Sequence, residues 1–222
     1  MDIQILYKDQ HLLLCCKPAG MPSQPDPTGR ESMLEQLQVR DPSVSLIHRL
    51  DTPTGGVMVF ARTPQATARL CAMVQDHEVF CKEYLALISA PLPAESATWT
   101  DYLYHDKRAN KAYVVDKERK GSKRAILSYR VLGQASDGHT LILVRLHTGR
   151  THQIRIQFAS RGFPLVGDGK YGSREKAPNL ALWAYALSFP HPFKKELVSE
   201  TAKPDSDQEP WSHAAALLRE LK

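Results

Sequence analysis

The stretch His48-Arg49-Leu50-Asp51-Thr52-Pro53-Thr54-Gly55-Gly56 sets one carboxylate between an arginine and a Gly-Gly turn. Strand-like residues 44–47 and 57–61 flank it, so Asp51 sits on a loop held between two fixed elements, where catalytic groups concentrate. Residue types and spacing alone leave two readings open. Asp51 is either a catalytic carboxylate, or the head of a turn in which it binds nearby backbone amides.

A second concentration of chemistry is basic. Between Asp106 and Arg124 lie Lys107, Arg108, Lys111, Lys117, Arg119, Lys120, Lys123 and Arg124 against only Asp106, Asp116 and Glu118, and this one stretch accounts for the whole formal charge of +5. The segment reads either as a solvated hairpin between strands 112–115 and 126–132, or as a surface for phosphates. Metal chemistry finds no support in the spacing: Cys15, Cys16, Cys71 and Cys81 form no C-x-x-C and lie in apolar segments, so buried reduced thiols are expected. His48 and His152 have no third ligand at a zinc spacing and read as hydrogen-bond partners.

The elements that must hold these groups can be read from periodicity and punctuation. Residues 3–7 and 12–16 read as strands, closed by Lys17-Pro18-Ala19-Gly20. A proline-rich loop leads to a short helix with Thr28 as its cap and Met33, Leu34 and Leu37 as its apolar face. Thr63 and Pro64 start a second helix, running through about Gln75 with Ala66, Leu70 and Met73 inward. Residues 83–88, 112–115, 126–132 and 141–146 supply further strands. Residues 151–161 are ambiguous, because Ile154, Ile156 and Phe158 alternate like a strand while Thr151 and Gly162 bracket a helix; helix is chosen. Residues 180–189 form a late strand, 194–210 a polar connection, and 211–221 a terminal amphipathic helix. Short strands with occasional helices, out of regular alternation, predict an α+β fold, a single domain over 1–222 with a mixed, mostly antiparallel sheet.

A length of 222 residues, 42% hydrophobic and 24% charged, buries a real core and speaks against disorder. The apolar runs are strand length, too short to span a bilayer, and the N-terminus lacks the pattern of a secretory signal, so a cytoplasmic protein without membrane contact is expected.

Four motifs in order resemble a known family. His48-Arg49-Leu50-Asp51 with the Thr and Gly that follow looks like the catalytic motif of the RluA-type RNA pseudouridine synthases. Lys17-Pro18-Ala19-Gly20 precedes it; Lys82-Glu83-Tyr84 follows. Thr148-Gly149-Arg150-Thr151-His152-Gln153-Ile154-Arg155 comes later, with Pro164–Asp168 and Tyr171-Gly172 beyond it. The resemblance covers roughly residues 3–190. One departure is visible: the family usually has Ser where Gly55 stands, and glycine is expected to keep the turn with one hydroxyl fewer. The family's additional N-terminal RNA-binding domain, of the S4 type, is not matched, so a catalytic domain alone is expected.

The resemblance implies a pseudouridine synthase acting on structured ribosomal or transfer RNA, with no cofactor and no metal, and expected to be a monomer. It makes Asp51 the catalytic carboxylate, Arg155 its counter-charge, and Tyr84 the residue that packs on the uracil and relays a proton from C5. Arg49 would fill the gap left by a flipped base. His48, Thr54, Arg150, Gln153 and Ile154 fall within the motifs and are expected at the substrate, with Lys117, Arg119 and Lys120 on the RNA backbone.

Two rivals belong to other classes. One is an RNA-binding protein or chaperone on the same scaffold with its chemistry lost, against which Asp51, Tyr84 and Arg155 all stand intact. The other is a nucleic-acid glycosylase, which also pairs a carboxylate with a flipped base but would release free uracil.

Overall fold

The computed structural model describes residues 3–27 and 29–221, and its contacts divide the chain into two compact units, Met1–Lys82 with Trp183–Pro204, and Glu83–Leu182 with Asp205–Lys222. Among the described residues there are eleven strands and four α-helices, in a mixed α+β arrangement whose strand pairs are mostly antiparallel.

In the first unit, β1 (Ile5–Lys8), β2 (Leu12–Lys17) and β4 (Gly55–Ala61) lie side by side, antiparallel, with β3 (Ser45–Leu46) also on β4. All seven residues of β4 are buried, as its near-continuous apolar run requires. The late strand, β10 (Leu182–Pro190), meets β4 in parallel at Trp183 opposite Gly55 and Ala184 opposite Gly56. Helix α1 (Met33–Arg40) starts at Ser32 in a capping box, the Ser32 hydroxyl accepting from the Glu35 N–H and the Glu35 carboxylate accepting from the Ser32 N–H. The cap expected at Thr28 lies outside the described residues. Helix α2 (Pro64–Met73) starts as the sequence predicts: Thr63 Oγ1 accepts from the Ala66 N–H and Pro64 opens the first turn. Its Ala66 and Leu70 join Leu12, Leu14, Val57, Val59, Phe80 and Phe189 in the core.

The expected polar connection 194–210 instead contains β11 (Leu197–Thr201), paired antiparallel with β10. Only Val198 of its five residues is buried, so the strand is held by backbone pairing and carries little apolar signal.

In the second unit the order is β5 (Cys81–Ile88), β9 (Thr140–Leu146), β8 (Ser122–Gln134), β6 (Ser96–Asp106), β7 (Lys111–Val115), every neighbour antiparallel. Strand β6 is absent from the sequence reading, and the reason is physical: Leu103 is its one buried residue, so eleven residues of strand show almost no hydrophobic alternation. Its position also corrects the basic hairpin. β7 and β8 do not pair with each other but with the two sides of β6, so residues 116–121 form a strap crossing that strand rather than a hairpin turn.

Helix α3 (Gln153–Ala159) settles the ambiguous segment. Its residues from Gln153 to Phe158 are all buried, the polar ones included. The apolar alternation therefore does not mark one buried face; it arises because hydrogen-bonded polar side chains occupy interior positions between the apolar ones. The chain ends in a 3-10 turn (Ser212–Ala214) and α4 (Ala215–Glu220), where one continuous helix is expected. No helix of the described residues is long and apolar enough to cross a membrane. Of the cysteines, Cys15 is buried, Cys16 and Cys81 are half-buried, and Cys71 is exposed, against the expectation that all four are interior: it lies on the solvent side of α2.

Candidate active site

The loop carrying Asp51 is fastened on both sides of that residue by the segment 17–23. On its N-terminal side, Ser23 Oγ accepts from the Leu50 N–H at 3.1 Å and donates to the Leu50 carbonyl at 2.8 Å. On its C-terminal side the Thr52 carbonyl accepts from the Gly20 N–H at 2.8 Å and from Lys17 Nζ at 3.2 Å. The turn itself closes through the Thr54 N–H on the Asp51 backbone carbonyl at 2.9 Å. Asp51 is half-buried and Arg49 is exposed.

Lys17 is fully buried, and its ammonium also donates to the carbonyls of Pro18 at 3.0 Å and Met21 at 2.6 Å. Three N–H donors thus meet three carbonyls, the full complement of a charged amine. Burial pushes this lysine down to about 7, while the Asp51 carboxylate pulls it back up. His48 Nε2 lies 3.2 Å from the Val59 N–H, which makes that ring nitrogen an acceptor and the imidazole neutral. Burial pushes His48 down to about 3, with Lys82 adding to the effect, and its ring meets Phe80 edge-on at 5.9 Å. Thr54 turns inward, 2% exposed, and its hydroxyl has no hydrogen-bond partner among the described residues.

The two glycines close the loop for different reasons. Gly56 has φ +118°, and a Cβ there would stand 2.1 Å from the Ala184 carbonyl oxygen, so only glycine fits. A Cβ at Gly55 would stand 2.3 Å from Trp183 Cζ3. The departure at Gly55 therefore removes more than a hydroxyl: the indole of Trp183 occupies the space a side chain would need.

In the second unit the motif 148–155 forms a loop and the first turn of α3. Gln153 anchors it to β8, its Oε1 accepting from Thr148 Oγ1 at 2.8 Å and the Arg150 N–H at 3.0 Å, and its Nε2 donating to the Ile126 carbonyl at 3.0 Å. Arg150 Nε donates to the Arg124 carbonyl at 2.9 Å, and Ile154 is 4% exposed in the core. Gln153 and Ile154, expected at the substrate, thus serve visibly to build the loop. His152 adopts a left-handed backbone, φ +53°, and its Nδ1 lies 2.8 Å from the Tyr171 hydroxyl, which also accepts from the Ala112 N–H at 2.8 Å.

Arg155 is 6% exposed and grips Asp168 with a fork: Nε and Nη2 each lie 2.7 Å from one carboxylate oxygen. The Tyr171 ring stacks on the same guanidinium at 5.1 Å. The fork fixes the plane of the guanidinium. Tyr84, 8% exposed, lies on β5 opposite Val144. Lys117, Arg119 and Lys120 are all exposed on the strap. Among the described residues no group of three His, Cys, Asp or Glu side chains could hold a metal ion.

Sequence reasoning missed Ser23, Lys17 and Trp183 as builders of the Asp51 loop, and Asp168 and Tyr171 as the support of Arg155. For Lys17, Asp168 and Tyr171 a signal existed, since all three lie in motifs already singled out. Ser23 offered none, because its bond to Leu50 spans 27 residues of sequence.

Comparison with known proteins places these geometries in context. The family described as RNA pseudouridylate synthase matches residues 11–160. A ribosomal large subunit pseudouridine synthase D of Pseudomonas aeruginosa is 34% identical over 188 residues, 82% of this chain and 57% of the relative. The protein of the same description from Xanthomonas campestris is 33% identical over 231 residues, 93% of this chain and 67% of that one. The chain thus spans between about half and two thirds of these relatives' own lengths. The solved structure of human RNA Pseudouridylate Synthase Domain Containing 1 superposes with a TM-score of 0.78 at 22% identity, covering 99% of this chain and 96% of that one, which establishes a shared fold.

Proposed function

The chain belongs to the RNA pseudouridylate synthase family, and on that premise we propose that it isomerises uridine to pseudouridine in structured ribosomal or transfer RNA, with Asp51 as the carboxylate that carries the reaction. The observation that carries this reading is a carboxylate in the family's motif whose loop is pinned through both neighbouring residues, Leu50 and Thr52.

The isomerisation breaks the bond from C1′ to uracil N1, turns the base, and rejoins it through C5, whose proton then leaves while N1 ends protonated. No redox step or energy input is needed. A carboxylate can begin this by attacking the sugar, adding to the ring, or removing a sugar proton, and each route asks Asp51 to be ionised and held in one orientation. The pinned loop supplies the orientation.

The remaining roles follow the same reading. Arg155, by the family's pattern, serves as the counter-charge of the catalytic carboxylate, which favours the ionised form. Tyr84 packs on the uracil and relays the C5 proton. A paired uridine cannot be reached by these groups, so the target is unpaired or flipped, and Arg49 fills the space it leaves. Lys117, Arg119 and Lys120 contact phosphates and set the register of the RNA without reading its bases.

The test is direct. RNA labelled with tritium at uridine C5 should lose label to water with the base still attached to the chain, and pseudouridine maps of total RNA with and without the gene should differ at discrete positions. Release of free uracil would mark a glycosylase instead. RNA binding with no release of either kind would mark a binding protein.

A further inference from the structure

We propose that the face of the second unit's sheet carrying Tyr102, Tyr104 and Tyr113 is a platform on which unpaired RNA bases stack. The proposal rests on the reading above that the partner is RNA, and adds which part of the RNA this surface takes.

Register places the rings together. Tyr104 stands directly opposite Tyr113 across the β6–β7 pair, and Tyr102, two residues before Tyr104, stands opposite Val115 on one side and Arg124 on the other. Side chains that face each other across a pair, or lie two apart on one strand, share one face of a sheet. The other face of β6 is already used. There Trp99 meets Phe158 at 4.6 Å, Asp101 holds the Arg161 guanidinium, and Leu103 packs with Ala112, Ala125, Ile156 and Tyr171. The tyrosines thus lie on the side away from α3, where Tyr113 is 41% exposed and Tyr102 and Tyr104 are half-buried.

Cations are interleaved with these rings. The strap crosses β6 beside Tyr104: the Arg119 guanidinium lies 5.1 Å from that ring's centroid, and a Cβ at Gly121 would stand 3.5 Å from its edge. Lys111 Nζ, on the edge strand, lies 5.7 Å from the Tyr113 centroid and 5.5 Å from that of Tyr171, between the two faces. Arg124 joins the row opposite Tyr102.

Aromatic rings alone would fit an apolar partner, and cations alone any polyanion. Rings alternating with cations fit a partner that alternates flat faces with negative charges, as single-stranded RNA does. An A-form duplex is a poorer fit, because its base faces are stacked on each other and only its backbone and groove edges are offered.

The experiment titrates the full chain into a labelled single-stranded ribo-oligonucleotide of about ten nucleotides, and into a duplex carrying the same number of phosphates, by fluorescence anisotropy. Tyr113→Leu keeps the bulk and charge of the surface but removes the ring face. It should weaken single-strand binding about tenfold, leave duplex binding and the salt slope unchanged, and be rescued by Tyr113→Trp. Equal losses for both probes, no loss for either, no measurable single-strand binding by the wild type, or equally good competition by polyglutamate would each overturn the platform. Pseudouridine formation is scored separately on cellular RNA. Wild-type activity with unaltered single-strand binding in Tyr113→Leu overturns the platform alone. A selective loss of single-strand binding supports the platform even where no pseudouridine forms, and then it is the proposed activity that fails.

Discussion

Ser23 Oγ accepts the Leu50 N–H and donates to the Leu50 carbonyl, at 3.1 and 2.8 Å, so one buried hydroxyl satisfies both backbone groups of the residue before Asp51. Ser23→Ala leaves both unpaired, at a cost of about 1–3 kcal/mol for each buried group. The expected outcome is a lower Tm together with a fall in kcat that exceeds any change in KM, measured by thermal melting and by tritium release. Unaltered turnover would mean that the Thr52 side of the loop is enough to hold Asp51.

Gly55 and Trp183 form a fitted pair, with a Cβ at Gly55 only 2.3 Å from the indole. Gly55→Ser should therefore lower stability by about 1–3 kcal/mol, the usual range for overpacking. Trp183→Leu in the same chain should recover part of that loss, although it also gives up the indole bond to the Ala202 carbonyl at 2.8 Å. Denaturant unfolding of both single variants and the double variant measures the coupling, and simple additivity would show that the indole moves aside without cost.

Arg155 and Asp168 are buried and bidentate, with side chains 7% and 1% exposed. Asp168→Ala removes the carboxylate that the guanidinium grips, and breaking such a pair from one side costs about 3–5 kcal/mol. Arg155→Lys should keep little of the stability and less of the activity, because an ammonium cannot present the planar fork. Chemical denaturation read beside turnover checks both, and wild-type values in Arg155→Lys would contradict the assigned role.

The His48 ring stays neutral in the folded chain down to about pH 3, whereas its ordinary value is 6.5. Between those limits the unfolded chain binds a proton that the folded chain refuses, so this group's contribution to stability falls as pH falls through that window. The limiting slope is about 1.4 kcal/mol per pH unit. His48→Gln keeps an acceptor for the Val59 N–H without the titration, and its stability should fall less steeply than the wild type between pH 6.5 and 4. Parallel curves would mean that His48 takes up its proton without unfolding the chain.

What the sequence made legible were the features carried by local chemistry. Thr63-Pro64 announced α2, the apolar run 57–61 announced β4, and the motif around Asp51 announced both a loop and its family. What stayed hidden depended on partners far along the chain or on surfaces with no apolar signal. β6 is eleven residues long but mostly half-exposed, β11 is an edge strand with one buried residue, and Gln153 and Arg155 are polar residues made interior by bonds to Ile126 and Asp168. The basic segment was visible as charge, but its course as a strap depends on β6, and without that strand a hairpin was the natural inference. The ring-to-cation pairing of Tyr104 with Arg119 was hidden for the same reason.

The most direct test of the account is Asp51→Asn, which keeps the size of the side chain and removes its charge. Tritium release from uridine-labelled RNA, followed beside RNA affinity, should show pseudouridine formation lost while binding largely persists. Turnover within about tenfold of wild type, roughly 1.4 kcal/mol in barrier height, would contradict a reaction carried by this carboxylate.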